Sequence, residues 1–494
     1  MASERFDYVV IGAGSAGCVL AARLTEDPNV KVLLLEAGGK NTSILVKMPA
    51  GVGQLIKDKG EQNWGFWTEA EPHLDNRKLW WPRGRGLGGS SAINGMIYIR
   101  GHARDYDQWR QMGLTGWSYA EVLPYFKRSE THHGGGDAYH GDKGPLHVSK
   151  GESDSPFYSA LIEAGRQAGH KTTKDFNGFQ QEGFGPYDLT IRDGKRWSAA
   201  MAYLSAALSR PNLTCVTEAR TTRILIEKRR AIGVEYVVGK GGERKVAYAD
   251  AEVLLSAGAV QSPHILQLSG VGAPDELKAQ GVAVVHESKG DHLDVCVSWT
   301  AKNLKTAYSA NKGLNKLGVG LNYMLFGKGL GRQQFLESGA FLKSRPDLDR
   351  PDLQIHGVLA IMQDHGKVVV EKDGFTLHVC QLPGVITRRA ADVRSDADLD
   401  AWIRAKAETI YHPVGTCRMG VAGDPLAVVD DQLRVQGLSG LRVVDASVMP
   451  TLVGGNTNAP TIMIAERASD LIRGKATLAP LDVPVFGDEA AVAA

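Results

Sequence analysis

The chain has 494 residues, 43% hydrophobic and 23% charged, with a formal net charge of +2. This length asks for two intimately connected domains rather than one simple core. The near-neutral balance gives no footing for nucleic acid, and no apolar stretch approaches the roughly 20 residues that span a bilayer.

The first elements are the most informative. Residues 6–11 (FDYVVI) read as a strand, Gly12, Gly14 and Gly17 follow as G-x-G-x-x-G, and residues 15–24 read as a helix. A second strand, 31–35 (KVLLL), ends at Glu36. Gly12 permits the tight turn, Gly14 admits a pyrophosphate to backbone N–H groups, and Gly17 lets helix pack on strand. The helix N-terminus favours the phosphates, and Glu36 stands where a carboxylate accepts from ribose hydroxyls.

A loop-rich stretch carries Trp64, Trp67, Trp80 and Trp81. Such aromatics either wall a cofactor cleft or, more commonly, pack a cover segment. In residues 82–101 (PRGRGLGGSSAINGMIYIRG), Gly88, Gly89, Ser90 and Ser91 let backbone pass close to a flat ligand. Residues 132–144 (HHGGGDAYHGDKG) read as a flexible turn, and their histidines lack clean metal spacing, so no metal site is expected.

Residues 155–169 read as an amphipathic helix with Ser155 as N-cap and Pro156 at the first position. Residues 196–208 read as another helix. Strands of a β-meander are expected over 213–227 and 233–238, with 253–256 returning to the sheet. The block 258–272 (GAVQSPHILQLSGVG) makes a second strand-to-helix turn, with Ser262-Pro263 fitting a helix start and Gly270 a helix end. From Lys289 to about Ala401 the texture changes, with strands expected over 353–357 and 376–380, as in a second domain inserted into the first. His412 lies in 411–420 (YHPVGTCRMG). A strand over 441–445 precedes a G-G-N-T-N turn holding Asn456 and Asn458, then a helix over 461–472. By residue type alone, His412 reads as a structural histidine and the asparagines as turn formers. The tail after Gly474 is expected to be poorly ordered or draped on the surface.

Cys18, Cys215, Cys296, Cys380 and Cys417 are far apart and odd in number. That pattern fits buried thiols in a reducing compartment, not a disulfide scaffold or a zinc site. No signal peptide is apparent, so a cytoplasmic location is expected, with peripheral contact at the inner membrane left open.

Four blocks in this order give the chain a strong resemblance to the glucose–methanol–choline oxidoreductases, over about residues 7–472. Both family signatures are visible, GRGLGGSSAIN and GAVQSPHILQLSGVG, and the sequence is most similar to the bacterial choline-dehydrogenase-like and aliphatic alcohol dehydrogenases. The resemblance implies an α/β fold (α+β overall), with a Rossmann-like FAD-binding domain and a discontinuous antiparallel-sheet substrate domain. The expected division is 1–154, 211–288 and 405–474 for FAD binding, 155–210 and 289–404 for the substrate domain, and 475–494 as tail.

It further implies an ADP-binding set of Gly12, Gly14, Gly17 and Glu36, with Thr221 meeting the adenine through its backbone. Gly88, Gly89, Ser91 and Asn94 would form the loop against the isoalloxazine and ribityl chain. Asp445 and Ala446 would lie beside the pyrophosphate and ribityl chain, and Asn458 with Pro460 near the pyrimidine edge. His412 would be the catalytic base, with Asn456 where the family places a second His or Asn. Ile93 stands where some relatives carry the histidine that attaches FAD covalently, so FAD is expected to be noncovalent. Two stretches, ESKGDHLDV and QLPGVITRRAADVRSDADLD, are shorter than in the family. The implied reaction is FAD-dependent oxidation of a primary alcohol, aliphatic or aromatic, with a quinone-like carrier or oxygen as acceptor. An oxidase, a non-redox lyase and a flavin-binding protein without turnover are the alternatives. Glu337 reads as a partner in a structural salt bridge rather than as a site for a cationic head group. Oligomeric state stays open.

Overall fold

A computed structural model describes residues 4–151, 153–285, 297–300, 314–360, 374–381 and 395–487. Its larger sheet is built from β1 (Glu4–Ile11), β2 (Val32–Leu35), β3 (Leu213–Val216), β4 (Ala219–Glu227), β5 (Arg230–Val238), β6 (Arg244–Leu255) and β7 (Leu441–Val443). The order is β3-β2-β1-β6-β5-β4, with β7 on the far half of β6. Val9, Val10, Leu33, Leu34, Val253 and Leu254 are all fully buried. Parallel strands covered on both faces read as continuous apolar runs, which is why these segments were legible. Ile11 pairs with both Leu35 and Leu255. The glycine turn, Glu36 and Ser256 therefore emerge together at the carboxyl edge, where a crevice forms in such sheets.

Three helices start at that edge: α1 (Ser15–Leu24), α2 (Gly258–Leu268) and α3 (Asn458–Ile472). α2 begins well before Ser262-Pro263, and Pro263 lies inside it. Proline lacks the N–H that would bond the carbonyl of Ala259. The Thr416 hydroxyl donates to that carbonyl instead, at 2.6 Å, so the helix continues. The segment expected as one strand over 213–227 is two, broken at Glu218 (φ 56°). β3 runs parallel on β2, and only β4, β5 and β6 form the antiparallel meander. The helix expected over 196–208 is shorter, with a π turn at Ala200–Leu204 followed by Ser205–Ala207.

The second sheet has five strands in the order Val297–Thr300, Gly374–Gln381, Leu353–Val358, Ser338–Leu342, Gly183–Pro186, all antiparallel. The Pro156–Gln167 helix covers it, with Ser155 Oγ accepting from the N–H of Phe157, and Phe157, Tyr158 and Leu161 pack against Phe184 and Ala340. Residues 132–144 are not a loose turn. His140 is buried between Glu130 (3.0 Å) and Asp175 (2.9 Å), and Glu130 also pairs with Arg100. The tail packs on the main core through Leu478, Leu481, Val483 and Val485. Cys18 and Cys417 are buried free thiols and Cys215 a half-buried one. Cys296 lies outside the described residues, as do most of the two shortened stretches.

Candidate active site

A cavity of about 540 Å³ occupies the carboxyl edge of the parallel strands. Neither α1 nor α3 has a side-chain N-cap, and Ser15, Ala16 and Asn458 of their first turns lie on its wall. Uncapped first turns leave N–H groups and partial positive charge for an anion. Ser15 Oγ donates to Asn458 Oδ1 at 2.7 Å and ties the two N-termini together.

The glycines permit approaches no other residue allows. A Cβ on Gly12 (φ +94°) would lie 2.6 Å from the Ser256 carbonyl oxygen, and one on Gly17 only 1.9 Å from that of Gly12. Gly88 donates to the Ala13 carbonyl at 2.8 Å, and a Cβ on Gly89 would meet Gly14 Cα at 2.7 Å. The second glycine loop is thus seated on the first.

Of the residues singled out in the sequence, Gly12, Gly14, Glu36, Gly89, Asn94, Thr221, His412, Asp445, Ala446, Asn456 and Asn458 line the cavity. Gly17, Gly88, Ser91 and Pro460 stand behind the wall. Ser91 Oγ donates to the Gly88 carbonyl (2.6 Å) and accepts from Ala199 N–H (3.0 Å), so it shapes the loop. Pro460 is buried in the first turn of α3, where a missing N–H breaks no helical bond. Glu36 Oε2 accepts from Ala13 N–H, and Oε1 from those of Gly38 and Gly86, all within 2.9 Å. Its carboxylate holds backbone as well as facing the cavity. Asp445 Oδ2 accepts from Gly258 N–H and the Ser262 hydroxyl, fastening α2 to the end of β7.

His412 and Asn456 meet on the cavity wall, with His412 Nε2 3.3 Å from Asn456 Nδ2. The turn under Asn456 is clamped by Asp105, whose Oδ2 accepts from Gly454 N–H at 2.6 Å. Burial raises the Asp105 pKa to about 6, against the lowering effect of Arg350 and two backbone N–H groups.

Sequence reasoning missed Arg83, Ser256 and Gln354. Arg83 lines the cavity, donates to the Tyr411 carbonyl at 2.9 Å, and is driven by burial to a pKa of about 10. Its signal was only its place in a glycine-rich run that also carries Arg85 and Arg100. Gln354 donates to Asn456 Oδ1 at 3.1 Å from the second sheet, a juxtaposition no local pattern announces. Of the tryptophans, Trp64 lines the cavity, whereas Trp67 and Trp80 pack on each other at 5.2 Å. Glu337 does not line it, and its Oε2 accepts from Ser153 N–H at 2.8 Å.

Away from the cavity, His132, His133 and Asp188 bring ligand-type atoms within 4.8 Å of one another. Lys150 Nζ lies 2.7 Å from the same Asp188 oxygen and already supplies the positive charge there.

The lining suits a dinucleotide with an anionic group at the helix N-termini. The Thr221 and Ser256 hydroxyls are buried on its wall without hydrogen-bond partners, and buried polar groups ordinarily find one. Two helix N-termini without side-chain caps line the same cavity as Thr221 and His412.

Sequence models of the family described as GMC oxidoreductase match residues 6–309 and 341–465. Mitochondrial choline dehydrogenase of Homo sapiens is 44% identical, over 98% of this chain and 92% of its own. The oxygen-dependent choline dehydrogenase of Xanthomonas campestris is 42% identical, over 98% of this chain and 99% of its own. The human alignment runs over 551 positions against 494 residues here, so that relative carries residues without a counterpart in this chain. Among solved structures, pyridoxine 4-oxidase from Mesorbium loti superposes with a TM-score of 0.83 at 31% identity, covering 95% of this chain and 100% of that one. A formate oxidase variant from Aspergillus oryzae shares the fold, with a TM-score of 0.84 at 23% identity over 96% and 99% of the two chains. The chain belongs to the GMC oxidoreductases and is an FAD-dependent oxidoreductase acting on CH–OH groups.

Proposed function

We propose that this protein oxidises a neutral primary alcohol to the aldehyde, with His412 as proton acceptor and Asn456 as the donor that holds the alcohol oxygen. The pair on the cavity wall, 3.3 Å apart, carries the reading. A neutral imidazole accepts a hydroxyl proton near neutral pH, and an amide N–H favours the developing alkoxide. FAD, when bound, supplies the hydride acceptor. In this reading Gly12, Gly14, Gly17, Glu36 and Thr221 hold its ADP half. Gly88, Gly89, Ser91, Asn94, Asp445, Ala446, Asn458 and Pro460 shape the flavin half. Ile93 also lines the cavity and has no nucleophile, so FAD is held noncovalently.

The domain division belongs to the same reading. The larger sheet draws on residues 4–35, 213–255 and 441–443, and the second sheet on 183–186 and 297–381.

A neutral substrate is favoured over a quaternary ammonium. Among the described residues, the acids lining the cavity are Glu36 and Asp445, and both carboxylates are engaged by N–H or O–H groups. Arg85 stacks over Trp64 at 4.9 Å. Burial, then His378 and His412, hold His356 well below the usual imidazole pKa, which keeps it neutral.

The acceptor is a quinone-like carrier or oxygen. Peripheral attachment to an anionic membrane is part of the proposal. No helix among the described residues is long and apolar enough to cross a membrane. The Leu314–Phe326 helix, however, exposes Leu317, Leu321, Met324, Leu325 and Phe326, with exposed Lys316 and nearby Lys328. Apolar exposure bordered by lysine suits a lipid surface.

The test is anaerobic addition of aliphatic and aromatic primary alcohols, with choline beside them, while flavin absorbance is followed. Oxygen or a quinone is then admitted. Bleaching by neutral alcohols is expected. A flavin that only choline bleaches removes the substrate class, and one that no alcohol bleaches removes the activity.

A further inference from the structure

We infer that Gln354 is a positioning residue that fixes which end of the Asn456 amide, and which tautomer of His412, faces the alcohol. The inference rests on the proposed reading of His412 as proton acceptor. Its basis is a chain of hydrogen bonds whose direction is set by a group that can only accept.

That group is the Ile355 carbonyl, which takes the Tyr187 hydroxyl proton at 2.9 Å. With its proton committed, Tyr187 Oη receives Gln354 Nε2 at 3.5 Å. The same amide nitrogen donates to Asn456 Oδ1 at 3.1 Å. An asparagine that turns its oxygen towards Gln354 turns its NH2 the other way, and that nitrogen lies 3.3 Å from His412 Nε2. An amide NH2 donates and has no lone pair to give. Nε2 must therefore carry the lone pair, and the ring proton sits on Nδ1. This is the tautomer a base acting through Nε2 requires.

The placement makes the device rigid. Gln354 is 1% exposed and lies on the Leu353–Val358 strand of the second sheet. Asn456 and His412 come from the segments around β7 and α3. Gly455, beside Asn456, has φ +152°, and a Cβ there would lie 2.4 Å from Ile99 Cγ2. The Asn456 turn thus cannot easily shift, and only the direction of its amide remains to be chosen. When an alcohol enters, its oxygen accepts from Asn456 Nδ2. As the O–H bond breaks, the proton forms a bond to Nε2 and the electron pair stays on oxygen. Neither amide has to turn over.

The test compares Gln354→Glu with Gln354→Leu in the FAD-loaded enzyme. An ionised glutamate only accepts. It draws the Asn456 NH2 towards itself, turns the Asn456 oxygen to His412, and selects the tautomer with the proton on Nε2. Gln354→Leu removes the preference without reversing it. Gln354→Glu should slow alcohol-driven flavin reduction roughly 10²-fold and Gln354→Leu roughly tenfold, with KM little changed. The deficit of Gln354→Glu relative to the parent at the same pH should narrow as pH falls, because a protonated carboxyl donates again. Nitrogen-15 NMR of histidine-labelled holoenzyme, with the His412 signal assigned by its loss in His412→Ala, should show Nδ1–H in the parent and Nε2–H in Gln354→Glu. This readout needs no turnover. A tautomer that reverses while no alcohol bleaches the flavin supports the polarity and removes the alcohol reading. An unchanged His412 tautomer in Gln354→Glu overturns the inference, as do equal losses and pH profiles in the two variants, whatever the parent enzyme oxidises.

Discussion

Glu36 Oε1 accepts from the backbone N–H of Gly86 at 2.9 Å, joining the end of β2 to the glycine loop fifty residues further on. The carboxylate also holds the N–H groups of Ala13 and Gly38. One side chain therefore fixes both glycine turns that face the cavity. Glu36→Ala leaves these donors without the carboxylate in a buried setting. The expected cost is about 3 kcal/mol or more of stability, since each unsatisfied buried group costs about 1–3 kcal/mol. FAD retention after gel filtration and the unfolding midpoint should fall together. Loss of FAD with an unchanged midpoint in the apoprotein would assign Glu36 to the ligand alone.

Noncovalent FAD predicts that acid or heat releases intact flavin into the supernatant. The position motivating this is Ile93, which is buried and packs with Val46, Leu55 and Ala92. Flavin that stays with the precipitated chain refutes it.

Attachment through the Leu314–Phe326 helix predicts co-flotation with vesicles containing anionic lipid and little binding to zwitterionic ones. Leu321→Ser with Leu325→Ser should release the protein while leaving flavin reduction by a soluble alcohol intact. Both side chains are more than half exposed, so folding should not suffer. Equal binding by parent and variant would place any membrane contact elsewhere.

The parts of the fold that were legible share a cause. β1, α1 and β2 announce themselves because parallel strands buried on both faces need unbroken apolar runs, and because Gly12 and Gly17 make contacts that a Cβ forbids. The α2 start was misread because its compensation is distant. Thr416 replaces the hydrogen bond that Pro263 cannot make, and it lies 157 residues from Ala259. The same distance hid Gln354. His412 and Asn456 stand in recognisable blocks, but their polar partner comes from another sheet, and only folding brings it within 3.1 Å. The turn read at residues 132–144 failed for a related reason. Glycines suggested a loose loop, whereas Glu130, Asp175 and Arg100 order it around His140.

If His412 is the proton acceptor, His412→Ala should fold and retain FAD, yet lose roughly 10²–10⁴ in alcohol-driven flavin reduction. That corresponds to about 3–5.5 kcal/mol of transition-state stabilisation. The parent rate should rise with pH through one ionisation that the variant lacks. Asn456→Ala should be less damaging, because it removes orientation and polarisation but leaves the base. Stopped-flow reduction of the three proteins across pH decides this. A parent-like rate in His412→Ala removes the proposed mechanism and leaves the fold standing.

The buried His140 predicts a stability loss on the alkaline side. Burial opposes its charge, but hydrogen bonds with Asp175 and Glu130 outweigh that and raise its pKa from 6.5 to about 9. The folded state therefore binds a proton that the unfolded chain has released between these values. Stability from this group is fully present below pH 6.5 and is lost as pH rises through about 9. Its two acids act at the other end. Burial would raise Glu130, but Arg100 and His140 hold it at about 2, so its contribution is present above 4.5 and lost on strong acidification. Denaturant unfolding should show the parent losing on the order of 2 kcal/mol between neutrality and the alkaline limb. His140→Gln should be less stable at neutral pH, with that slope absent. The same alkaline slope in His140→Gln would assign the titration to another group and remove His140 as the charge that orders residues 132–144.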